Sequence, residues 1–466
     1  MSRLRDLVYR HAPYPVQNLL ISAYGRYLKS IRYGSAYRQC LATIEGTHGL
    51  TAEEVAVLQA RRLDSFVREA IRHVRYYGAR YADVLEHAGA ITPQTLRDRF
   101  SILEKRDVKD HQDAFVSQVA LARDCTTVFT SGTTGSPLEV VASKASVAQN
   151  FAFFSSFLRE HGLDPFAWSA TFAGRLIVPK SQVAPPFWRC NRAMRTWLFS
   201  SYHIGLATIP AYLRQLEKVE PTYIDSYPSS IYAIARYVVD RKVRHSINPV
   251  AVVTSSEVLT ARQREVIEEA FKCPVFDQYG SAEMVVFAAQ CRSGSYHVHP
   301  LYGVTEVVNE RGEECAPGEP GELVATGLLN AAMPLIRYRI GDRASLRTTP
   351  CPCGNTFPAL SEVLGREDDY IVTPEGHLVG RLDPLFKGLK GIGEAQIVQE
   401  SVERIDVVVV PGEGFDERAK AILIGSLRER LGERIGIQVH TVDAIPRTAN
   451  GKFRSVISKL KGASMR

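Results

Sequence analysis

The sequence predicts an α/β protein with two parts: a large, multi-lobed amino-terminal domain containing a β-rich portion, and a small, mobile α+β domain at the carboxyl terminus. Three observations predict it. The chain has 466 residues, 45% of them hydrophobic and 23% charged, which suffices for more than one core and for roughly two or three domains. From Cys125 onward, short β-branched runs alternate with amphipathic ones, the pattern of strands buried between helices. After Gly365 the chain starts afresh with short strands and one charged helix, leaving about a hundred residues for a second unit.

Residues 1–100 read as helical. Leu58, Leu63, Phe66, Ala70 and Val74 recur among arginines at helical spacing, with Pro13, Pro15 and Gly25 as expected breaks. The opening, Arg3 to Tyr24, is basic and apolar and suits either packing on the body of the protein or contact with a membrane surface. Residues 125–345 carry the strand-rich body. Cys125–Thr130, Leu138–Ser143, Ala251–Ser256 and Cys273–Gly280 read as strands, with helices at Val147–His161 and Ala261–Phe271. Glu310–Glu322, rich in Gly, Pro and Glu, reads as a turn before the strand Leu323–Gly327. A boundary at Gly365–Asp369 divides the chain into 1–365 and 366–466. Beyond it come strands at Asp369–Val372, Ala395–Gln399 and Arg404–Val410, a helix at Asp416–Leu431 and a final strand at Ile437–Val442.

Composition narrows the function. A formal charge of +7 over this length suits anionic small ligands and falls far short of a nucleic-acid-binding surface. The eight cysteines are spread too thinly for a disulfide scaffold, no secretory leader pattern opens the chain, and no apolar run is long enough for an integral membrane helix. These features point to the reducing cytoplasm.

The strongest local signal is Thr130-Ser131-Gly132-Thr133-Thr134-Gly135-Ser136-Pro137. Two glycines and five hydroxyl side chains with exposed N–H groups can wrap phosphate oxygens, although a polar hairpin turn uses the same residues. It is not a Walker loop, because no Gly-Lys-Ser/Thr follows and a strand comes next. Asp277-Gln278-Tyr279-Gly280-Ser281-Ala282-Glu283 ends a strand with a ring that can cover a purine and a carboxylate that can hold magnesium. Ser255-Ser256-Glu257 ends another strand, where open α/β sheets place ligands. Tyr338-Arg339-Ile340-Gly341-Asp342 offers a carboxylate for ribose hydroxyls. Gly365-Arg366 with Asp368-Asp369 marks the boundary, and Asn450-Gly451-Lys452 lies near the end of the chain.

In that order, TSGTTGSP, YGSAE, YRIGD, GREDD and TANGKFR resemble the adenylate-forming superfamily of acyl-coenzyme A synthetases, peptide-synthetase adenylation domains and luciferases. PYPVQNLLISAYG, ATFAGRLIVP, PPFWR and SSYHIG extend the likeness to the phenylacetate-coenzyme A ligase branch, in particular its capsular-polysaccharide relatives. The resemblance implies an AMP-forming ligase that activates an acyl or aryl acid with ATP and passes it to a thiol, coenzyme A by default. A carrier protein or an amine is the alternative acceptor, and a nucleotide-binding scaffold without turnover the alternative function. It implies that Thr130 to Gly135 hold the triphosphate, that Ser255 to Glu257 with Asp277, Tyr279, Gly280 and Ser281 enclose the nucleotide, and that Asp342 takes the ribose. Glu283 takes Mg2+, Arg366 contacts ribose or phosphate, Asp368 is the hinge and Lys452 is the catalytic lysine. Three positions depart from the family's habit: Ser136 stands where many members carry lysine, Ala282 where many carry Thr or Ser, and Gly376-His377-Leu378 lacks the arginine or lysine many relatives have.

Cys351 and Cys353 sit one residue apart in CPCG, and Cys291 lies near His297. Together they offer the Cys3His composition of a closed, structural zinc site, with His299 as a substitute for His297 and unlinked, packed thiols as the alternative. Trp168, Phe172, Trp188, Tyr202, His203 and Tyr227 lie between the phosphate loop and the adenine motif. Of these, His203, Tyr202 and Tyr227 are the acyl-pocket candidates; for His203 the alternative is a hydrogen-bonded core histidine.

Overall fold

The structure, a computed structural model, describes residues 9, 12–87, 89–120, 124–130, 138–174, 177–179, 182–205, 207–366, 371–374, 378–379, 382, 389, 391–447 and 453–460, the side chains of 365, 366, 378, 379, 429 and 430 excepted. It is the mixed α/β architecture the sequence predicts.

The described residues of the first hundred are mostly helical: α1 (Tyr14–Arg32), α2 (Ser35–Glu45), α3 (Ala52–His73), α4 (Arg75–His87) and α5 (Pro93–Arg99), followed by the short α6 (Lys105–Asp110) and α7 (Gln112–Phe115). Helix α3 begins where Thr51 accepts from the Glu54 N–H and Glu54 accepts from the Thr51 N–H, a reciprocal cap. Its buried stripe runs through Val55, Leu63, Val67 and Ile71, whereas Leu58 stays at the surface. Pro13 and Pro15 start α1 instead of interrupting it, since the first turn has no use for their missing N–H groups. Gly25, expected as a break, lies inside α1; a Cβ there would overlap the Asn191 side chain, so the glycine permits close approach to a strand.

Strands β1 (Cys125–Phe129) and β2 (Glu139–Ser143) form a separate antiparallel hairpin with Phe129 opposite Glu139. Helix α8 (Lys144–Glu160) follows, capped by Ser143. A twelve-stranded sheet forms the body. Its parallel half comprises β3 (Ser169–Phe172), β5 (Thr196–Phe199), β6 (Tyr223–Ser226), β7 (Ala251–Ser255) and β8 (Val275–Gly280), with β4 (Trp188–Asn191) as an antiparallel edge. Helices α9 (Ile209–Val219), α10 (Pro228–Asp240) and α11 (Ala261–Phe271) cover one face through Leu216, Ile231, Ile234 and Ile267, while α2 and α8 cover the other through Leu41, Ile44, Phe153 and Phe157. The antiparallel half is β9 (Phe287–Gln290), β10 (Tyr296–Val298), β11 (Gly303–Val308), β12 (Pro320–Gly327), β13 (Tyr338–Leu346) and β14 (Ala359–Arg366), the β-rich portion of the prediction.

After β15 (Ile371–Val372) and β16 (Leu378–Val379), the strands β17 (Ile392–Ser401), β18 (Arg404–Pro411), β19 (Gly436–Thr441) and β20 (Val456–Ser458) form a second sheet in the order β19-β18-β17-β20. Helix α12 (Glu417–Leu431) packs Leu423 and Leu427 against Ile397, Val407 and Val409 in a core of its own. The strand expected to be last, at Ile437–Val442, is not: β20 follows and pairs parallel with β17. Three residues, Val-Ile-Ser, carry too little alternation to announce a strand.

Candidate active site

A cavity of about 1010 Å³ opens at the carboxyl ends of β7 and β8. Here the parallel half of the sheet meets the antiparallel half at β8 and β9, and the carboxyl ends of parallel strands are where open α/β sheets place ligands. Ser255, Ser256 and Glu257 line it from β7, and Asp277 to Glu283 from β8 and the loop beyond. Asp342 lines it from β13, and Phe453 to Val456 from the carboxyl-terminal unit. Ser256 has φ of +71°, an uncommon backbone state for a residue with a Cβ and one that clusters at binding sites.

Two sequence motifs lock to each other in this cavity. Tyr279 donates to Asp342 Oδ2 at 2.7 Å, and Tyr338 donates to Glu283 Oε1 at 3.2 Å. Each motif thus supplies one tyrosine and receives one, fixing the loop after β8 against β13. Gly341, at φ +85°, supplies the left-handed backbone next to Asp342. Glu283 is buried, and Ser281 Oγ is buried with no hydrogen-bond partner among the described residues. A carboxylate beside an unsatisfied hydroxyl is an oxygen set that suits a hydrated Mg2+ or a phosphate oxygen.

Asp277 lines the cavity and is also tied to the strands around it. Thr254 donates to Oδ1 at 2.5 Å and Tyr296 to Oδ2 at 2.6 Å, while the Asp277 N–H donates to Gln290 at 3.2 Å. It anchors the ends of β7, β8 and β10 beneath the cavity. Burial pushes its carboxyl up to about 6 despite these donors. The native state then holds the proton more tightly than the unfolded chain, so the stabilisation is complete below the ordinary aspartate value and is lost as pH rises through about 6. Relative to Asp277→Asn, which cannot titrate, the wild-type unfolding free energy should fall by about 2 kcal/mol between pH 4 and 7. Urea melts at several pH values check this, and a pH-independent difference would refute the raised carboxyl.

Thr130 closes the β1–β2 hairpin: its N–H donates to the Leu138 carbonyl at 3.0 Å, and its Oγ1 accepts from the Leu138 N–H at 3.0 Å. Lys105 Nζ donates to the same Oγ1 at 3.3 Å. Sequence reasoning missed Lys105, which brings an ammonium group to a loop that has serine at 136. The placement follows from a strap across the sheet: the Leu103 N–H donates to the Arg337 carbonyl at 2.8 Å, and the Arg339 N–H to the Leu103 carbonyl at 3.0 Å. Arg337 secures the strap by donating to Phe100 O and to both oxygens of the buried Glu306. Ser131, Gly132, Thr133, Thr134 and Gly135, the expected hinge residue Asp368, and Lys452 lie outside the described residues, as does the side chain of Arg366, whose backbone pairs opposite Asp342.

Glu257 takes two donors from α10, Ser229 N–H at 2.9 Å and Ser229 Oγ at 3.0 Å, and a third from across the cavity, the Phe453 N–H at 3.2 Å. Phe453 is the residue after Lys452. Asn150, Phe151, Phe154 and Tyr302 also line the cavity; the Tyr302 hydroxyl donates to Asn150 at 2.8 Å. They come from α8 and the turn after β10, segments that carry no motif. The three acyl-pocket candidates are near neighbours of one another rather than lining residues of this cavity. Tyr202 and His203 follow β5, and Tyr227 caps α10. His203 has partners on both ring nitrogens, Ser200 at 2.7 Å and the Pro179 carbonyl at 3.1 Å, and stacks on Phe187.

A second constellation sits at one end of β9 and β10. One ligand atom from each of Cys291, His297, Cys351 and Cys353 lies within 4.8 Å of all the others. Cys291 Sγ stands 3.6 Å from Cys351 Sγ, and Cys353 Sγ 3.2 Å from His297 Nε2. A zinc tetrahedron with sulfur ligands has edges of roughly 3.8 Å, so the set fits a closed four-ligand ion. His297 Nδ1 meets the Phe357 carbonyl at 3.3 Å, the outer partner that would orient the ring. His299, the possible substitute, is deeply buried against Phe153, and burial pulls its imidazole down to about 3.

Residues 78–333, more than half of the chain, match the AMP-binding enzyme family. The chain belongs to the adenylate-forming, AMP-binding enzymes. As a member of that superfamily it is an ATP-dependent, AMP-forming ligase, as the five motifs imply. Residues 371–459 match the CapK C-terminal domain. Protein CapK of Staphylococcus aureus is 26% identical over 98% of this chain and 100% of its own length. Phenylacetate-coenzyme A ligase of Thermus thermophilus is 25% identical over 69% of this chain and 73% of its own. Among solved structures, a 2-hydroxyisobutyryl-CoA ligase shares the fold with a TM-score of 0.69 at 20% identity, covering 88% of this chain and 90% of that one.

Proposed function

We propose that this adenylate-forming enzyme activates a small acyl or aryl carboxylic acid as its acyl-adenylate and transfers it to the thiol of coenzyme A. The observation that carries the proposal is the single cavity in which Ser255–Glu257, Tyr279–Glu283, Asp342 and the segment after Lys452 converge. The acid's carboxylate attacks the α-phosphorus of ATP, pyrophosphate leaves, and the thiol then displaces AMP while giving up its proton. Joining an anion to a polyanion needs cationic help, which Mg2+ held at Glu283 would supply when bound. Thr130 to Gly135 wrap the triphosphate, with Lys105 adding charge at the base of the loop. Asp342 holds the ribose, and Arg366 contacts it or a phosphate. Lys452 bridges carboxylate and α-phosphate, carried by a small domain, 366–466, that pivots at Asp368 against the body, 1–365. An acyl group bordered by Tyr202, His203 and Tyr227 would lie beyond the residues that line this cavity. Cys291, His297, Cys351 and Cys353 hold a structural Zn2+, and the enzyme works in the cytoplasm.

A carrier-protein thiol or an amine is the second acceptor to test, because the likeness to CapK runs the full length of the chain whereas that to phenylacetate-coenzyme A ligase stops short of it. ATP–pyrophosphate exchange across a panel of carboxylic acids tests the first half-reaction; AMP release with coenzyme A, a carrier protein or an amine tests the second. Retained ATP binding without exchange for any acid would replace the proposal with a non-catalytic nucleotide scaffold.

A further inference from the structure

Helix α1 is amphipathic in the reverse sense. Its inward side mixes the half-buried Tyr14, Ile21 and Leu28 with polar groups that hydrogen-bond along β4, the edge strand of the large sheet: Gln17 Oε1 accepts from Arg189 at 2.5 Å and Asn18 Oδ1 from the Cys190 N–H at 3.0 Å. Ser22 Oγ donates to the Cys190 carbonyl at 3.3 Å and accepts from the Arg192 N–H at 3.1 Å. Gly25 completes this side against Asn191. The outward side carries Val16, Leu19, Leu20, Ala23, Tyr24 and Tyr27, all exposed, with Leu19 at 68% and Tyr27 at 57%. Their spacing places them on one stripe. A surface helix in water normally buries such a stripe and shows its polar side, and a contiguous exposed apolar face marks a contact surface.

The charge distribution says what the contact is with. Residues 1–44 hold seven lysines and arginines against one acidic residue, Asp6, so +6 of the chain's +7 lies in this segment. Arg26 is exposed on α1 at the edge of the apolar stripe, and Lys29 is exposed near the end of the helix. Tyrosines with an apolar ring and a polar tip, next to basic side chains, suit the headgroup layer of a bilayer. A second copy is disfavoured, because it would set two like-charged segments face to face. No helix among the described residues is long and apolar enough to cross a membrane, so contact is at the surface. We propose that α1 docks this enzyme on the surface of a bilayer containing anionic phospholipid. Arg32 stacks on Phe151 at 4.2 Å, and Phe151 lines the ligand cavity, so docking through α1 would hold that cavity beside the membrane.

Flotation of the full-length protein with phosphatidylcholine vesicles, with and without phosphatidylglycerol, tests this without reference to catalysis. The protein should float with the anionic vesicles at low salt, and binding should fall by about tenfold in high salt or without phosphatidylglycerol. Leu19→Glu with Tyr27→Glu should abolish flotation while leaving the melting temperature unchanged. Arg26→Glu with Lys29→Glu, which leaves the apolar stripe intact, should remove the preference for anionic lipid. Wild-type protein that stays out of anionic vesicles at low salt overturns the proposal. So does a concentration-dependent dimer, dissolved by the Leu19→Glu and Tyr27→Glu pair, in protein that ignores vesicles.

Discussion

Replacing Lys452 with alanine should lower ATP–pyrophosphate exchange by about two orders of magnitude or more, the loss expected when a preorganised charge worth roughly 3 kcal/mol is removed from a transition state. The expectation rests on chain order and anchoring. Phe453 ties its backbone to Glu257, and Glu257 in turn binds the start of α10, so the chain directly after residue 452 is held at the nucleotide cavity. Arg447 stacks on the Phe453 ring at 4.5 Å, and Gln396 donates to the Arg454 carbonyl at 2.7 Å, which ties this stretch to the small sheet. On the proposed pivot at Asp368, Lys452 would act only while the small domain is docked. ATP binding to the variant should therefore change by only a few-fold, and transfer from a supplied acyl-adenylate to the thiol should continue. Lys452→Arg should recover little, because a planar guanidinium does not reproduce a compact ammonium at a bridging position. Exchange at the wild-type rate in Lys452→Ala would defeat the assignment.

What the sequence made legible was punctuated by motifs; what it hid was carried by tertiary contact. Ser255–Glu257, Tyr279, Glu283 and Asp342 were readable because glycines, hydroxyls and carboxylates stand together at strand ends, and the fold does bring them around one cavity. Their mutual locking was not readable, since Tyr279 reaches Asp342 and Tyr338 reaches Glu283 across more than fifty residues of chain. Lys105 was hidden for the same reason. Nothing near it in sequence marks a ligand site, and only the strap from Leu103 to Arg337 and Arg339 brings it to Thr130. Helical periodicity gave α3 and α11 well but misjudged Gly25. A glycine that admits a neighbouring strand looks, in one dimension, like one that ends a helix.

The cysteine and histidine cluster yields the other large effect. Cys291 and His297 flank the turn between β9 and β10, while Cys351 and Cys353 lie in the loop between β13 and β14. An ion at this point would join four antiparallel strands that hydrogen bonds alone connect through the short β10–β14 pairing of Tyr296 with Leu360 and His297 with Ala359. It would also brace the strand that runs from Ala359 to Arg366. Protein purified under metal-replete conditions should hold one zinc per chain, and the pair Cys351→Ser and Cys353→Ser should hold none. Because a ligand bound only by the folded state stabilises it by mass action, the variant should lose about 3 kcal/mol or more of unfolding free energy. Serine approximates cysteine in size, so loss of packing alone would cost much less. Exchange activity should fall less steeply than stability, since all four ligands come from the protein and leave no open position for chemistry. Zinc-free wild-type protein with the stability of the variant would sink the metal site and leave four packed, reduced side chains in its place.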